Sequence, residues 1–173
     1  MLVDDHAVVR DGLRVLLEAQ GDIEVVGDAV NGFGALRQAK RLHPDVVIMD
    51  IAMPELNGIE ATKQLRDACP LTQTVILSMH STTEHIFRAL QAGARGYLLK
   101  DCAGSEVVDA VRAVYAGQRY LSNRIAATVV DDYIAERHPK SPLESLSHRE
   151  RQILQLVVEG KSSSQIAVVL FLS

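Results

Sequence analysis

Short apolar runs alternate with helically spaced apolar positions over the first two-thirds of the chain. The runs are Leu2–Val3, Ile23–Val26, Val46–Met49, Val75–Leu77 and Tyr97–Leu99. Their apolar residues are consecutive, not alternating, as in strands buried on both faces. Between them, one side of a helix recurs at Val9, Leu13, Leu16 and Leu17. Further helix faces follow at Ile59, Thr62 and Leu65, at Ile86, Phe87 and Leu90, and at Val107, Val108, Val111 and Val114. This alternation predicts an α/β fold: a doubly wound, five-stranded parallel sheet with five helices, ending near Ala116. Ser81 and Glu84 have capping-box spacing, and Gly93 suits the end of the helix they would open. Gly21, Gly27 and Gly117 fall near other boundaries.

After Tyr120 the strand signals stop. Residues 122–137 read as one more helix, with Ile125, Val129 and Ile134 as its apolar positions. His138-Pro139-Lys140-Ser141-Pro142 is a breaker cluster and the linker candidate. From Leu146 onward the pattern is helical. Ser147 and Glu150 form a second capping box ahead of Ile153, Leu154, Val157 and Val158, and Gly160 closes that helix. Ser162 and Gln165 form a third box, ahead of Ile166, Ala167 and Leu170. Two short helices separated by a glycine turn have the outline of a helix-turn-helix. The expected organisation is an α/β domain over 1–117, a linker with a helix over 118–143, and a small all-α segment over 144–173.

Composition adds limits. In 173 residues, 47% hydrophobic content is enough for a core, and the net charge of −4 argues against a chain built mainly to coat nucleic acid. A small DNA-reading module at one end remains compatible with it. Cys69 and Cys102 lack zinc or CxxC spacing and read as free thiols of a reducing cytoplasm. Asp4 and Asp5 follow the N-terminus too closely for a signal peptide, and no apolar run reaches membrane-span length. The expectation is a cytoplasmic protein without a membrane partner.

The informative polar residues lie at strand ends. Ligands of an open parallel sheet bind beyond the carboxyl ends of its strands. Asp4 and Asp5 end the first run, Asp50 the third, Ser78 lies near the end of the fourth, and Lys100 ends the fifth. Taken singly, Asp-Asp after a strand reads as a loop start and a lysine there as solvated. The joint pattern is different: with the first and third strands adjacent, three carboxylates and a lysine share one crevice. Two like charges about 4 Å apart cost roughly 4 kcal/mol at an effective dielectric of 20. A divalent cation offsets this, and all-oxygen ligation suits Mg²⁺, which also bridges to phosphate. A carboxylate held in this way can act as a nucleophile toward phosphorus.

Leu2-Val3-Asp4-Asp5-His6, Asp50-Ile51-Ala52-Met53-Pro54 with Gly58, Ile76-Leu77-Ser78 and Gly96-Tyr97-Leu98-Leu99-Lys100 together resemble the receiver domain of two-component response regulators, over roughly residues 1–116. The resemblance implies a flavodoxin-like sheet of order 2-1-3-4-5. It implies Asp50 as phospho-acceptor, Asp5 as a direct Mg²⁺ ligand, Asp4 as a ligand through water, and the Ala52 carbonyl as a further ligand. Ser78 and Lys100 would hold the phosphoryl oxygens. Tyr97 would be the aromatic switch that turns inward when Ser78 moves toward phosphate. Many receivers carry proline after the lysine; here it is Asp101, which reads as subfamily identity. His6 as a phosphohistidine and His80 as a tuner of phosphoryl lifetime are weaker readings than surface histidines.

Leu146 to Leu154, then Gly160, Ser162, Gln165-Ile166-Ala167 and Leu170-Phe171-Leu172-Ser173, resemble the opening of the LuxR/FixJ/NarL-type helix-turn-helix. In that family the recognition helix comes next, with Ser173 at its N-cap. The chain therefore reads as part of a longer regulator. Arg149, Arg151 and Lys161 against Glu150 and Glu159 give too little positive charge for firm phosphate binding alone. The resemblance implies a sensor histidine kinase as phosphoryl donor, DNA as a partner of the full-length form, and a homodimer on activation. Two other classes fit the residues less well. A phosphorylation-independent interaction module would be expected to have lost one of the acidic residues. An aspartate-nucleophile phosphatase needs a general acid two residues after Asp50, where Ala52 stands, so the chain is not expected to be an enzyme.

Overall fold

The computed structural model describes residues 1–102, 104–137, 147–162, 165–166 and 169–170. The chain divides into two compact units, Met1–Val130 and Asp131–Ser173. The first unit runs β1 (Leu2–Val3), α1 (Ala7–Glu18), β2 (Asp28–Ala29), α2 (Gly32–Leu42), β3 (Val46–Met49), α3 (Gly58–Ala68), β4 (Gln73–Ser78), α4 (Thr83–Ala92), β5 (Gly96–Leu99), α5 (Gly104–Tyr115) and β6 (Tyr120–Leu121). It then enters α6 (Asn123–Arg137). All pairings are parallel, in the order β2-β1-β3-β4-β5-β6.

Consecutive strand residues serve opposite faces, which is why the runs that form β1, β3, β4 and β5 are apolar throughout. Val3, Met49, Ile76, Tyr97 and Leu99 join Ala35, Ala39, Ala61, Leu65, Ile86 and Ala89 on the face covered by α2, α3 and α4. Leu2, Ile48, Val75, Leu77 and Leu98 join Leu17, Val107, Val108 and Val111 on the face covered by α1 and α5. Each helix layer thus takes alternate side chains from every long strand.

The structure corrects the sequence expectations in several places. The sheet has six strands, not five: Tyr120 and Leu121 pair with Gly96 and Tyr97. The second strand is Asp28–Ala29, not Ile23–Val26, because the ladder with β1 forms only where Leu2 and Val3 face Asp28 and Ala29. Ile23 and Val25 still point inward, packing beside α1 and α5 without ladder partners. Ser81 and Glu84 form no capping box. The helix starts one residue later, with Thr82 as N-cap, and the Thr82 hydroxyl meets His85 Nδ1 at 2.7 Å. Phe87 is 40% exposed and lies outside the core that takes Ile86. Gly93 ends α4 as expected, in the left-handed region at φ 116°.

In the second unit, α7 (His148–Val158) opens with the expected box: Ser147 N donates to Glu150 Oε2 at 2.7 Å and Glu150 N to Ser147 Oγ at 3.3 Å. Ser162 N donates to Gln165 Oε1 at 2.9 Å, so the third box forms as well. Ile166 and Leu170 are buried, and Gly160 takes a positive φ. No residue of α7 is buried among the described residues, and Val157 and Val158 are exposed. The linker candidate 138–142, Leu146, Ala167 and residues 171–173 lie outside the described residues.

Helix α2 carries no aliphatic stripe; its buried residues are Gly32, Gly34, Ala35 and Ala39. Small side chains allow close approach to α3. Ala35→Leu should therefore overpack this seam and cost about 2 kcal/mol in urea unfolding, despite the higher hydrophobicity of leucine. A neutral or stabilising result would show that the seam has slack.

Candidate functional site

The parallel register carries the ends of β1, β3, β4 and β5 to one edge of the sheet. Asp4 and Asp50 follow paired positions, since Val3 faces Met49 and Asp50 N donates to the Val3 carbonyl at 2.8 Å. Lys100 N donates to the Ser78 carbonyl at 2.9 Å, extending the β4–β5 pairing by one step. Asp4, Asp50 and Ser78 are buried, whereas the Asp5 side chain is 34% exposed.

Lys100 Nζ lies 2.7 Å from both Asp4 Oδ2 and Asp50 Oδ2. Burial opposes its charge, but hydrogen bonds and attraction from Asp4 and Asp50 outweigh that and raise its pKa above the ordinary lysine value. Asp4 Oδ1 accepts from His6 N at 2.9 Å. Asp5 Oδ1 lies 2.8 Å from His6 Nδ1. Ligand atoms of Asp4, Asp5, His6 and Asp50 all fall within 4.8 Å of one another.

This arrangement fits a divalent cation. Three carboxylates against one ammonium leave two net negative charges in a crevice whose floor, Asp4 and Asp50, is buried and whose rim, Asp5 and His6, is exposed. Asp50 Oδ1 and the Ala52 carbonyl accept no hydrogen bond among the described residues, so each has an oxygen to offer. The loop that presents Ala52 is held by paired bonds to the Ile51 carbonyl, from Met53 N at 3.1 Å and Gly58 N at 3.0 Å.

Ser78 and Tyr97 meet through His80. Ser78 Oγ accepts from His80 N at 3.1 Å, and Tyr97 Oη donates to the His80 carbonyl at 2.7 Å. The Tyr97 ring is fully buried, and burial raises its pKa. The His80 ring stacks on His85, centroids 4.6 Å apart. The sequence reading placed Ser78 and Tyr97 in the site but missed the His80 carbonyl that joins them. A backbone acceptor leaves no residue-type signal.

It also missed Arg10. Arg10 Nη1 donates to the Asp4 carbonyl at 2.7 Å, and its Nε to Asp28 Oδ2 at 3.2 Å. Arg14 Nη2 reaches Asp28 Oδ1 at 2.9 Å. The two arginines tie α1 and β2 to the turn that carries the acidic pair. Their position beside the apolar stripe of α1 was the available clue. His6 enters the cluster as a neighbour of both aspartates.

Two family models match the chain: the response regulator receiver domain over residues 1–112, and the bacterial regulatory proteins of the luxR family over residues 144–173. The chain is 41% identical to the uncharacterized transcriptional regulatory protein YhcZ of Bacillus subtilis, covering all of this chain and 81% of that protein. It is 39% identical to the transcriptional regulatory protein LiaR of the same organism, covering all of this chain and 82% of that one. Among solved structures, a two-component response regulator of the LuxR family from Aurantimonas sp. SI85-9A1 matches with a TM-score of 0.75 at 36% identity, covering 78% of this chain and 96% of that one.

Two outcomes follow from this geometry. A Cβ at Gly58 would sit 1.9 Å from the Asp50 carbonyl oxygen. Gly58→Ala should cost roughly 3 kcal/mol in urea unfolding, since the clash is with backbone. Tyr97 stays protonated above the ordinary phenol value near 10, so its stabilisation is complete below that value and is lost as pH rises through the raised folded value. Wild type should exceed Tyr97→Phe by about 1 kcal/mol at neutral pH, from the lost hydrogen bond to His80. The gap should close in denaturation series above about pH 10.

Proposed function

The chain belongs to the response regulators of the LuxR family, and from that premise we propose that Asp50 is its phospho-acceptor. Phosphorylation-controlled regulation of transcription is the function of this family, and the relatives are transcriptional regulators, not enzymes. The observation that carries the site reading is the shared hold of Lys100 on Asp4 and Asp50, at 2.7 Å each, inside a cluster that keeps two uncompensated negative charges.

In the proposed reaction an Asp50 carboxylate oxygen bonds to phosphorus as the phosphorus–nitrogen bond of a phosphohistidine on a sensor kinase breaks. The imidazole leaves with the bond electrons. Asp5, Asp50 and the Ala52 carbonyl would hold Mg²⁺ directly and Asp4 through water. When bound, Mg²⁺ supplies positive charge against the phosphoryl oxygens. Lys100 exchanges part of its contact with Asp50 for a phosphoryl oxygen, and Ser78 Oγ turns from His80 N toward another. That exchange frees the loop that Tyr97 grips through the His80 carbonyl. Exposed Phe87 and Met79 lie on α4 and on that loop, so the change reaches a surface suited to self-association. The full-length regulator would then bind DNA as a dimer, in the cytoplasm. Among the described residues no helix is long and apolar enough to cross a membrane.

Light scattering with Mg²⁺ and beryllofluoride tests this reading. Wild type should shift from monomer to dimer with the phosphoryl mimic, and Asp50→Ala should not. Bound mimic without a mass change would move the switch to contacts between receiver and output segments. A mimic that fails to bind wild type would remove the acceptor assignment and leave a phosphorylation-independent interaction module. Isothermal titration should also separate the two N-terminal aspartates. Asp5→Asn should weaken Mg²⁺ binding about tenfold or more, and Asp4→Asn less, because Asp4 oxygens are already taken by His6 N and Lys100.

A further inference from the structure

At the opposite edge of the sheet, a cavity of about 270 Å³ opens between α3, α4 and the starts of β4 and β5. Arg66, Arg95 and Arg119 line it, and no carboxylate does. Two of the arginines are placed by the strand register. Gly96 pairs with Tyr120, and Tyr120 N donates to the Arg95 carbonyl at 2.9 Å, so Arg95 and Arg119 stand side by side at the entry to β5 and β6. Tyr97, Leu99 and Leu121 pack on the sheet face covered by α2, α3 and α4. Side chains alternate along a strand, so Arg95 and Arg119, each two residues before one of these, fall on the same face.

Neighbouring strands run about 4.8 Å apart, and like charges side by side on them repel. Neither Arg95 nor Arg119 forms an ion pair or side-chain hydrogen bond among the described residues. Arg66 leans over the same cavity. Its Nη1 donates to the Gln91 carbonyl at 3.1 Å, its Nε makes only a long 3.4 Å contact with Asp67, and its stem lies against Gly93. Water is enough for one exposed arginine. Two in register on one face, with a third turned to the same concave space and no carboxylate in its lining, form a concentrated set of donors that an anion would fit.

We propose that this cavity binds a phosphate-bearing anion. Guanidinium groups present planar, paired donors that match phosphate oxygens, and three of them around one cavity suit a multiply charged group better than a single carboxylate. The site is separate from the acidic edge and stands whether or not Asp50 is the acceptor. Its phosphate could be free, as in pyrophosphate or a phosphorylated metabolite, or belong to a nucleic-acid backbone.

The test is an amide NMR titration of the whole chain in metal-free buffer, with pyrophosphate in one arm and a short DNA duplex in the other. Saturable shifts at Gly93, Gly96 and Tyr120 are expected in one arm, with affinity about tenfold weaker in Arg95→Gln/Arg119→Gln and only partly restored in Arg95→Lys/Arg119→Lys, where the charge is kept but the paired donors are lost. All these side chains are exposed, so the variants keep the spectral dispersion of the folded chain. Shifts with pyrophosphate identify a free phosphate ligand. Shifts with DNA alone, falling steeply with salt, identify the backbone as source. No saturable shift in either arm, or equal shifts in the double glutamine variant, overturns the proposal.

Discussion

Mutual repulsion among Asp4, Asp5 and Asp50 is the constraint on which the acidic edge depends. Asp4 and Asp50 are buried beside the exposed Asp5, and other elements hold them in place. Backbone pairing does part of it: Val3 against Met49 leaves Asp4 and Asp50 abreast at the sheet edge. Lys100, delivered by β5 from two strands away, does the rest with contacts to both. The ammonium cannot finish the task, because one positive charge against three negative ones leaves room for a divalent cation. The site is thus incomplete in charge, and a divalent cation fits what is left over.

The same edge couples charge to shape. Ser78 Oγ and Tyr97 Oη both bond to the backbone of one residue, His80. A shift of either bond moves the start of α4, where Thr82 and the stacked His80–His85 pair set the first turn. Tyr97 lies fully buried between this loop and the helices of its face, so its ring cannot move without repacking neighbours. Packed interiors shift between discrete arrangements more readily than they deform continuously. Ser78 and Tyr97 are thus tied to the loop before α4 through one backbone position.

Legibility in sequence followed the chemistry of each signal. Four of the six strands and the faces of α1, α3, α4 and α5 were visible because they bury aliphatic side chains at regular spacing. Helix α2 gave no such trace, since the residues it buries, Gly32, Gly34, Ala35 and Ala39, are small. Strand β6 is two residues between Arg119 and Ser122, too short to register as a period. The Ile23–Val26 run was apolar for the right reason, burial of Ile23 and Val25, yet strand assignment needs a partner backbone and its ladder begins only at Asp28. The acidic residues, Ser78 and Lys100 were legible as a set because strand ends of a parallel sheet converge. Arg10 and the His80 carbonyl were not, because their roles lie in contacts across the chain: a guanidinium on the Asp4 carbonyl, and a main-chain oxygen on a phenol.

A parallel sheet has two chemically different edges, and in this chain the carboxyl ends of β1 and β3 are acidic while the amino ends of β5 and β6 are basic. The carboxyl edge collects Asp4, Asp5 and Asp50; the amino edge of β5 and β6 collects Arg95 and Arg119, joined by Arg66 from α3. The topology forces each grouping, because residues at equal offsets from paired strand starts become lateral neighbours whatever their charge. Repulsion at the acidic edge has a visible answer in Lys100, and the coordination capacity left over says what else belongs there. At the basic edge Arg95 and Arg119 have no carboxylate partner among the described side chains, and Arg66 has Asp67 at 3.4 Å, with its aliphatic stem against the turn at Gly93. The two groupings arise from the same backbone logic but differ in setting: the acidic one holds buried Asp4 and Asp50, whereas the arginines stand in solvent, so the charge left over weighs more at the first edge than at the second.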